Sequence, residues 1–307
     1  MKQIVVVAGP TASGKTAFAI RLAQMLSGEI ISADSMQIYK GMDIASAKPT
    51  KEELAAAPHH MIDIISPKEP FSVADYVKRA KACIEDVLSR GRLPILTGGT
   101  GLYISSLVDN VEFQEEKTDP AVRERLWQEA EEKGIEPLYE RLRSIDAQAA
   151  ENIHPHNKKR VIRALEIFET TGFTLTEQNA RSRVNPSPYD PFMIALSPPR
   201  ELLYDRINRR VDAMAQNGLF QEAEILSGQG LTRDMQAMQG IGYKEAFAFL
   251  EGETGREECL EKIKQATRRY AKRQLTWFKR DSRYHWVNPL EEEAVEAVIK
   301  ELCAFIK

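Results

Sequence analysis

An α/β fold, with a parallel sheet flanked by helices and an all-helical insertion, follows from three features of the sequence. Short β-branched runs alternate with helical patterns through the first hundred residues. A glycine-bracketed segment ending in Gly14-Lys15-Thr16 joins the first of those runs to a helix. From about residue 118 the texture becomes charged and helix-periodic, without strand candidates.

The first strand is read at Ile4 to Ala8, followed by a helix from Lys15 to about Ser27. A second strand spans Glu29 to Ala33, a second helix runs from Val73 to Arg90, and a third strand covers Leu93 to Thr97. Thr118-Asp119-Pro120 supplies an N-cap and a proline for a first helical turn, and opens an insertion that runs to about Ser182. Prolines at 186, 188, 191, 198 and 199 bracket one more apolar run, Phe192 to Leu196, which is expected to return the chain to the sheet. Helices from Glu201 onward are expected to complete the chain. The expected division is therefore a core of residues 1–115 and 190–307, with 116–189 as the helical insertion.

The 307 residues are 43% hydrophobic, enough for ordinary buried cores, which excludes a disordered tail. Apolar runs fall short of a membrane span, so the protein is expected to be soluble and cytoplasmic, without membrane contact. Cys83, Cys259 and Cys303 are widely spaced and odd in number, a poor basis for a zinc site or a disulfide framework. His154-Pro155-His156 reads as a loop or helix entry rather than a metal pair.

Gly9-Pro10-Thr11-Ala12-Ser13-Gly14-Lys15-Thr16 matches G-x-x-x-x-G-K-[ST] between an apolar strand and an amphipathic helix. In that context the loop N–H groups and the helix N-terminus cradle phosphate oxygens. Lys15 supplies a point charge to the outer phosphates, and the Thr16 hydroxyl is placed to ligate Mg²⁺. The core is therefore read as P-loop NTPase-like. An NTP-hydrolysing member usually has a strand-end Asp for the metal shell, yet the third strand here runs into Gly98-Gly99-Thr100-Gly101. The acid follows the second strand instead, at Asp34-Ser35. Strand ends converge on one crevice in such a sheet, so Asp34 is expected near the phosphate loop as a proton acceptor; the competing role is a turn or cap. Spacing alone gives a phosphate-handling transferase of unknown acceptor, and a small-molecule kinase remains open.

The whole-chain net charge of −3 hides a local excess: Lys262 to Arg283 holds nine basic residues and one acid, Asp281. At helical spacing Arg269, Arg273 and Arg280 share a stripe, with Arg268 and Lys272 beside it, while Ile263, Ala266, Tyr270 and Trp277 follow an apolar one. A second cluster is Lys158-Lys159-Arg160 with Arg163. Such faces with nearby aromatics suit RNA loops; the alternative is a solvated helix paired with the acidic stretches at Glu251 to Glu261 and Glu291 to Glu296.

GPTASGKT at 9 to 16, ISADSMQIYKGMDIASAKP at 31 to 49, PHHMIDIISP at 58 to 67, TGGTGLYISSL at 97 to 107 and KRQLTWFKR at 272 to 280 together closely resemble the bacterial tRNA dimethylallyltransferases. The resemblance runs from about residue 3 to 290, without the zinc finger of eukaryotic members. It implies transfer of a dimethylallyl group from dimethylallyl diphosphate, with Mg²⁺, to the exocyclic amine of the adenine 3′ of the anticodon. The loop Gly9 to Thr16 would then hold a diphosphate leaving group rather than a nucleotide. By the same resemblance Asp34 is the base for the amine, and Ser35, Met36 and Gln37 line the flipped nucleotide. Thr100 and Arg123 would contact tRNA or diphosphate near the reaction centre. The tRNA surface would take in Lys159, Arg160, Val161, Ile162 and Arg163, then Gln239, Gly240, Ile241, Gly242, Tyr243 and Lys244. It would continue through Lys272, Arg273, Gln274, Leu275, Thr276, Trp277, Phe278 and Lys279. The helical insertion is expected to clamp the anticodon stem-loop, and the enzyme to act as a monomer.

Overall fold

The computed structural model describes residues 1–113 and 119–306. Thr118, expected to help open the insertion, lies outside them, as does the expected boundary at 115. By contacts the chain divides into two units, one made of 1–108 with 188–307 and the other of 109–187. The insertion starts earlier than expected because its two ends are joined to each other: Asn110 Nδ2 donates to the Pro186 carbonyl at 3.1 Å, and the Glu112 N–H to that of Ser182 at 2.8 Å.

The first unit opens with β1 (Lys2–Ala8), α1 (Lys15–Leu26) and β2 (Gly28–Ser32). It continues through α2 (Lys51–Ala56), β3 (His59–His60), α3 (Val73–Ser89), β4 (Leu93–Gly98) and α4 (Gly101–Val108). The second unit is α5 (Pro120–Glu132), α6 (Glu136–Ile145), α7 (Ala147–Asn152), α8 (Lys158–Thr171) and α9 (Leu175–Arg181). The first unit resumes with β5 (Tyr189–Leu196), α10 (Arg200–Gln216) and α11 (Leu219–Gly228), then a 3₁₀ turn at Gln236–Gln239. It ends with α12 (Tyr243–Leu250), α13 (Arg256–Phe278), β6 (Tyr284–Val287) and α14 (Glu292–Ile306).

The six strands pair in the order β3-β2-β4-β1-β5-β6, all parallel. Both faces of a parallel sheet are covered, which is why β1 reads as an unbroken apolar run rather than an alternation. Ile4, Val6 and Ala8 face one core with residues of α3, α4, α11 and α12; Val5 and Val7 face the other with α1 and α14. Two strands depart from expectation. The chain after Glu201 is not wholly helical: β6 pairs with β5 from Met193↔Tyr284 to Leu196↔Val287. Only Tyr284 and Val287 of its four residues are buried, too little for a sequence period to register. The two-residue β3 likewise exists only by pairing with Ile30 and Ile31.

The second unit has its own core, in which Leu126, Leu138, Leu142, Val161 and Leu165 are buried. Its first helix starts as expected: Asp119 caps α5 by accepting from the Ala121 N–H at 2.9 Å, and Pro120 stands in the first turn.

Candidate active site

The phosphate loop leaves the C-terminal end of β1 and enters α1 through Gly14, whose φ of 92° lies in the left-handed region that favours glycine. The Ser13 N–H donates to the Pro10 carbonyl at 3.3 Å, and Lys15 Nζ donates to the same oxygen at 2.7 Å. The Ser13 hydroxyl is buried without a hydrogen-bond partner. Burial pushes the Lys15 ammonium down to about 8, with Asp34 pulling it up and Arg210 pushing it further down.

The ends of β2 and β4 are bound to each other beside this loop. The Ala33 N–H donates to the Thr97 carbonyl at 2.7 Å, and the Thr100 N–H to that of Ala33 at 3.1 Å. A Cβ at Gly98 would overlap the Ala33 carbonyl, so glycine is the residue that permits this approach. The Thr100 hydroxyl accepts from the Ser35 N–H at 3.0 Å. Asp34 makes the turn contact expected of it, Oδ1 accepting from the Met36 N–H at 2.8 Å as in an Asx turn, and it also lines a cavity together with Lys15 and Thr16 of the phosphate loop.

That cavity, about 440 Å³, lies wholly within the first unit. Thr11, Lys15, Thr16, Asp34, Arg210 and Arg273 give it a charged and polar part, while Tyr39, Tyr103, Val211, Met214, Ile241 and Ile263 give it an apolar part. Ser35, Met36, Gln37, Gln239, Gly240, Gly242 and Gln274 complete the predicted residues on its wall. Among the described residues no group of three or more His, Cys, Asp or Glu could hold a metal. Thr16 lines the same cavity as Lys15 and Asp34.

Two site residues escaped the sequence. Arg210, on α10, reaches the cavity with one guanidinium N–H on the Ala47 carbonyl at 3.4 Å, and burial lowers its pKa against the pull of Asp34. It lay unmarked beside Arg206 and Arg209 in one charged helix. Glu222, on α11, is buried; its carboxylate accepts from the N–H groups of Asp43 at 2.8 Å and Ile44 at 2.9 Å, and from the Tyr243 hydroxyl at 2.6 Å. It fixes the segment whose next residues, Ala45 to Ala47, line the cavity. No local pattern marks such a residue.

The predicted RNA-contacting runs separate by exposure. Val161, Ile162, Tyr243 and Phe278 are buried and serve packing or internal hydrogen bonds, and Gly240, Gly242 and Gln274 are buried on the cavity wall. Lys159, Arg160, Gln239, Lys244, Lys272, Arg273, Thr276 and Lys279 are exposed, with Arg163, Ile241, Leu275 and Trp277 half-buried. In α13 the buried seam is Cys259, Ile263, Ala271, Gln274 and Phe278, while Ala266, Tyr270 and Trp277 are half-buried; Arg280 lies beyond the helix end. The basic block divides as well. Lys262 pairs with Glu258, Lys264 with Asp212 and Arg283 with Asp281. Arg269, Lys272, Arg273, Lys279 and Arg280 form no ion pair among the described residues, which leaves them for a polyanion. In the second unit Arg123 is held by Glu166, Nε to Oε2 at 3.1 Å, and Arg163 meets the same buried carboxylate at 3.1 Å.

The family model described as IPP transferase matches residues 37–281 of this chain. A curated relative named tRNA dimethylallyltransferase, from Acetivibrio thermocellus, is 48% identical over 302 residues, covering 98% of this chain and 96% of that protein. One of the same name from Caldanaerobacter subterraneus subsp. tengcongensis is 51% identical over 279 residues, covering 90% and 89%. The solved tRNA isopentenylpyrophosphate transferase of Bacillus halodurans superposes with a TM-score of 0.73 at 43% identity, covering 98% of this chain and 96% of that one. A eukaryotic dimethylallyltransferase solved acting on tRNA gives 0.77 at 30% identity, covering 94% and 75%.

Proposed function

The chain belongs to the IPP transferase family, and from that premise we propose that it transfers a dimethylallyl group from dimethylallyl diphosphate to the N6 amine of the adenosine 3′ of the anticodon in tRNA, releasing diphosphate. The observation that carries this reading is the cavity itself: a phosphate loop and a carboxylate share one wall system with an apolar part. A nucleotide kinase needs no apolar room beside its γ-phosphate, whereas a prenyl donor does.

The loop Gly9 to Thr16 receives the diphosphate, and Lys15 and Arg210 offset its charge as the allylic carbon–oxygen bond breaks. Mg²⁺, held through Thr16, would add to that neutralisation. The adenine leaves its stack to reach the site, its N6 lone pair forms the new carbon–nitrogen bond, and Asp34 accepts the amine proton. Ser35 and Thr100 keep Asp34 oriented through the turn they share. The apolar residues around Tyr103, Met214 and Ile263 take the prenyl tail. Arg123, Lys159 and Arg160 of the second unit, with the unpaired basic residues of α13, meet tRNA phosphates. No helix among the described residues is long and apolar enough to cross a membrane, and a cytoplasmic monomer suits a tRNA substrate.

Incubating the protein with labelled dimethylallyl diphosphate, Mg²⁺ and unmodified tRNA should place label in the tRNA; an unlabelled tRNA would end the reading. Replacing Arg269, Lys272 and Lys279 together by glutamine should weaken tRNA binding and lower the slope of log affinity against log salt by about three, roughly one per lost phosphate contact. An unchanged slope would return that face to ordinary solvation.

A further inference from the structure

Gln274 sits on the basic helix α13 yet is only 5% exposed. Its carboxamide joins two backbone segments that are distant in the chain. Oε1 accepts from the Thr11 N–H at 2.9 Å, and Nε2 donates to the Gly99 carbonyl at 2.9 Å. The amide orientation is chemically determined, because only the oxygen can accept from an N–H and only the nitrogen can donate to a carbonyl. The packing is equally close: a Cβ on Gly99 would overlap Nε2. The next loop residue, Ala12, packs against the buried cluster of Leu203, Ile207 and Ala271 from α10 and α13. One helix thus gives Thr11 a polar anchor and Ala12 an apolar seat.

A phosphate loop needs such an anchor. Its N–H dipoles converge on one point and repel each other unless an anion or the surrounding structure holds them. We propose that Gln274 is a positioning residue of the donor site: it holds the phosphate loop in its diphosphate-binding shape and ties it to the turn that carries Thr100. Both of its polar ends hold backbone groups, and a further side-chain hydrogen bond joins it to Tyr270, so its geometry is fixed and it acts on the ligand through the loop. This rests on the prenyl-transfer reading for the identity of the donor.

Gln274→Met keeps the length and removes both hydrogen bonds. Titrated with inorganic diphosphate and Mg²⁺ by calorimetry, it should bind about tenfold or more weakly than wild type, since displacing a positioned group by a fraction of an ångström has effects of that order. The KM for dimethylallyl diphosphate should rise in step and the melting temperature fall by a few degrees as the Gly99 carbonyl loses its donor, while the tRNA affinity stays close to wild type. A merely structural role would lower the melting temperature and both affinities together. If the Met variant does not fold, Gln274→Glu keeps the shape and the acceptor toward Thr11 but sets a carboxylate against the Gly99 carbonyl; it should also bind diphosphate at least tenfold more weakly. Diphosphate affinity within twofold of wild type in either folded variant overturns the proposal. If wild type itself transfers no prenyl group, it is the functional reading that fails, and the diphosphate titration still decides the role of Gln274.

Discussion

Asp34→Asn is expected to slow single-turnover prenyl transfer by roughly 10²-fold or more, the usual loss when a positioned general base is removed. Asparagine is the informative substitution because the Asp34 side chain also accepts from the Met36 N–H. The amide oxygen keeps that bond and the turn; alanine would lose both functions at once. The affinity for tRNA should change far less than the rate. Because Asp34 pulls up the pKa values of Lys15 and Arg210, the comparison is made below pH 7, where both cations stay charged in the neutral variant and the loss reports on the proton acceptor. A rate within a few-fold of wild type would remove Asp34 from the chemistry.

Lys15→Met should lower kcat/KM for the donor by roughly 10²- to 10³-fold, since it deletes a charge aimed at the leaving group in a site partly shielded from water. Wild type should show a matching pH dependence. The free-enzyme ammonium titrates near 8, below the ordinary lysine value of 10.5. A bound diphosphate favours the charged form and so raises that pKa in the complex. The contribution of Lys15 to donor affinity is therefore full and independent of pH below about pH 8 and weakens above it, by up to about tenfold per pH unit, until the pKa of the complex is passed. Diphosphate titrations of wild type and Lys15→Met between pH 7 and pH 9.5 test this: the alkaline loss should be present in the first and absent in the second. Equal slopes would assign the loss to another group.

The parts of this site that could be read from sequence are those encoded locally. The phosphate loop is eight consecutive residues between a strand and a helix, and its shape follows from that context. Asp34 was legible because it directly follows a strand, and strand ends in a parallel sheet converge. Arg210 and Glu222 were not, because each is one charge among many on an amphipathic helix, singled out only by what packs against it. Gln274 lay within a motif the sequence marked, but its tie between two loops depends on burial and on partners far away in the chain. The strand β6 escaped because its four residues become a strand only at the edge β5 presents. Of the apolar stripe expected on α13 only Ile263 lies in the buried seam, which runs instead through Cys259, Ala271, Gln274 and Phe278, and the ion pairs that divide its charges into spent and available ones are tertiary facts.

On the proposed function, the loop Gly9 to Thr16 holds a diphosphate leaving group and the acceptor is a tRNA adenosine. The most direct test of that function is a balance taken with no nucleoside triphosphate present: inorganic diphosphate released, against modified nucleoside recovered from digested tRNA and located by mass spectrometry. The prediction is equal amounts of diphosphate and N6-isopentenyladenosine, all of the latter 3′ of the anticodon. A requirement for ATP, or diphosphate release without modified adenosine, would contradict it.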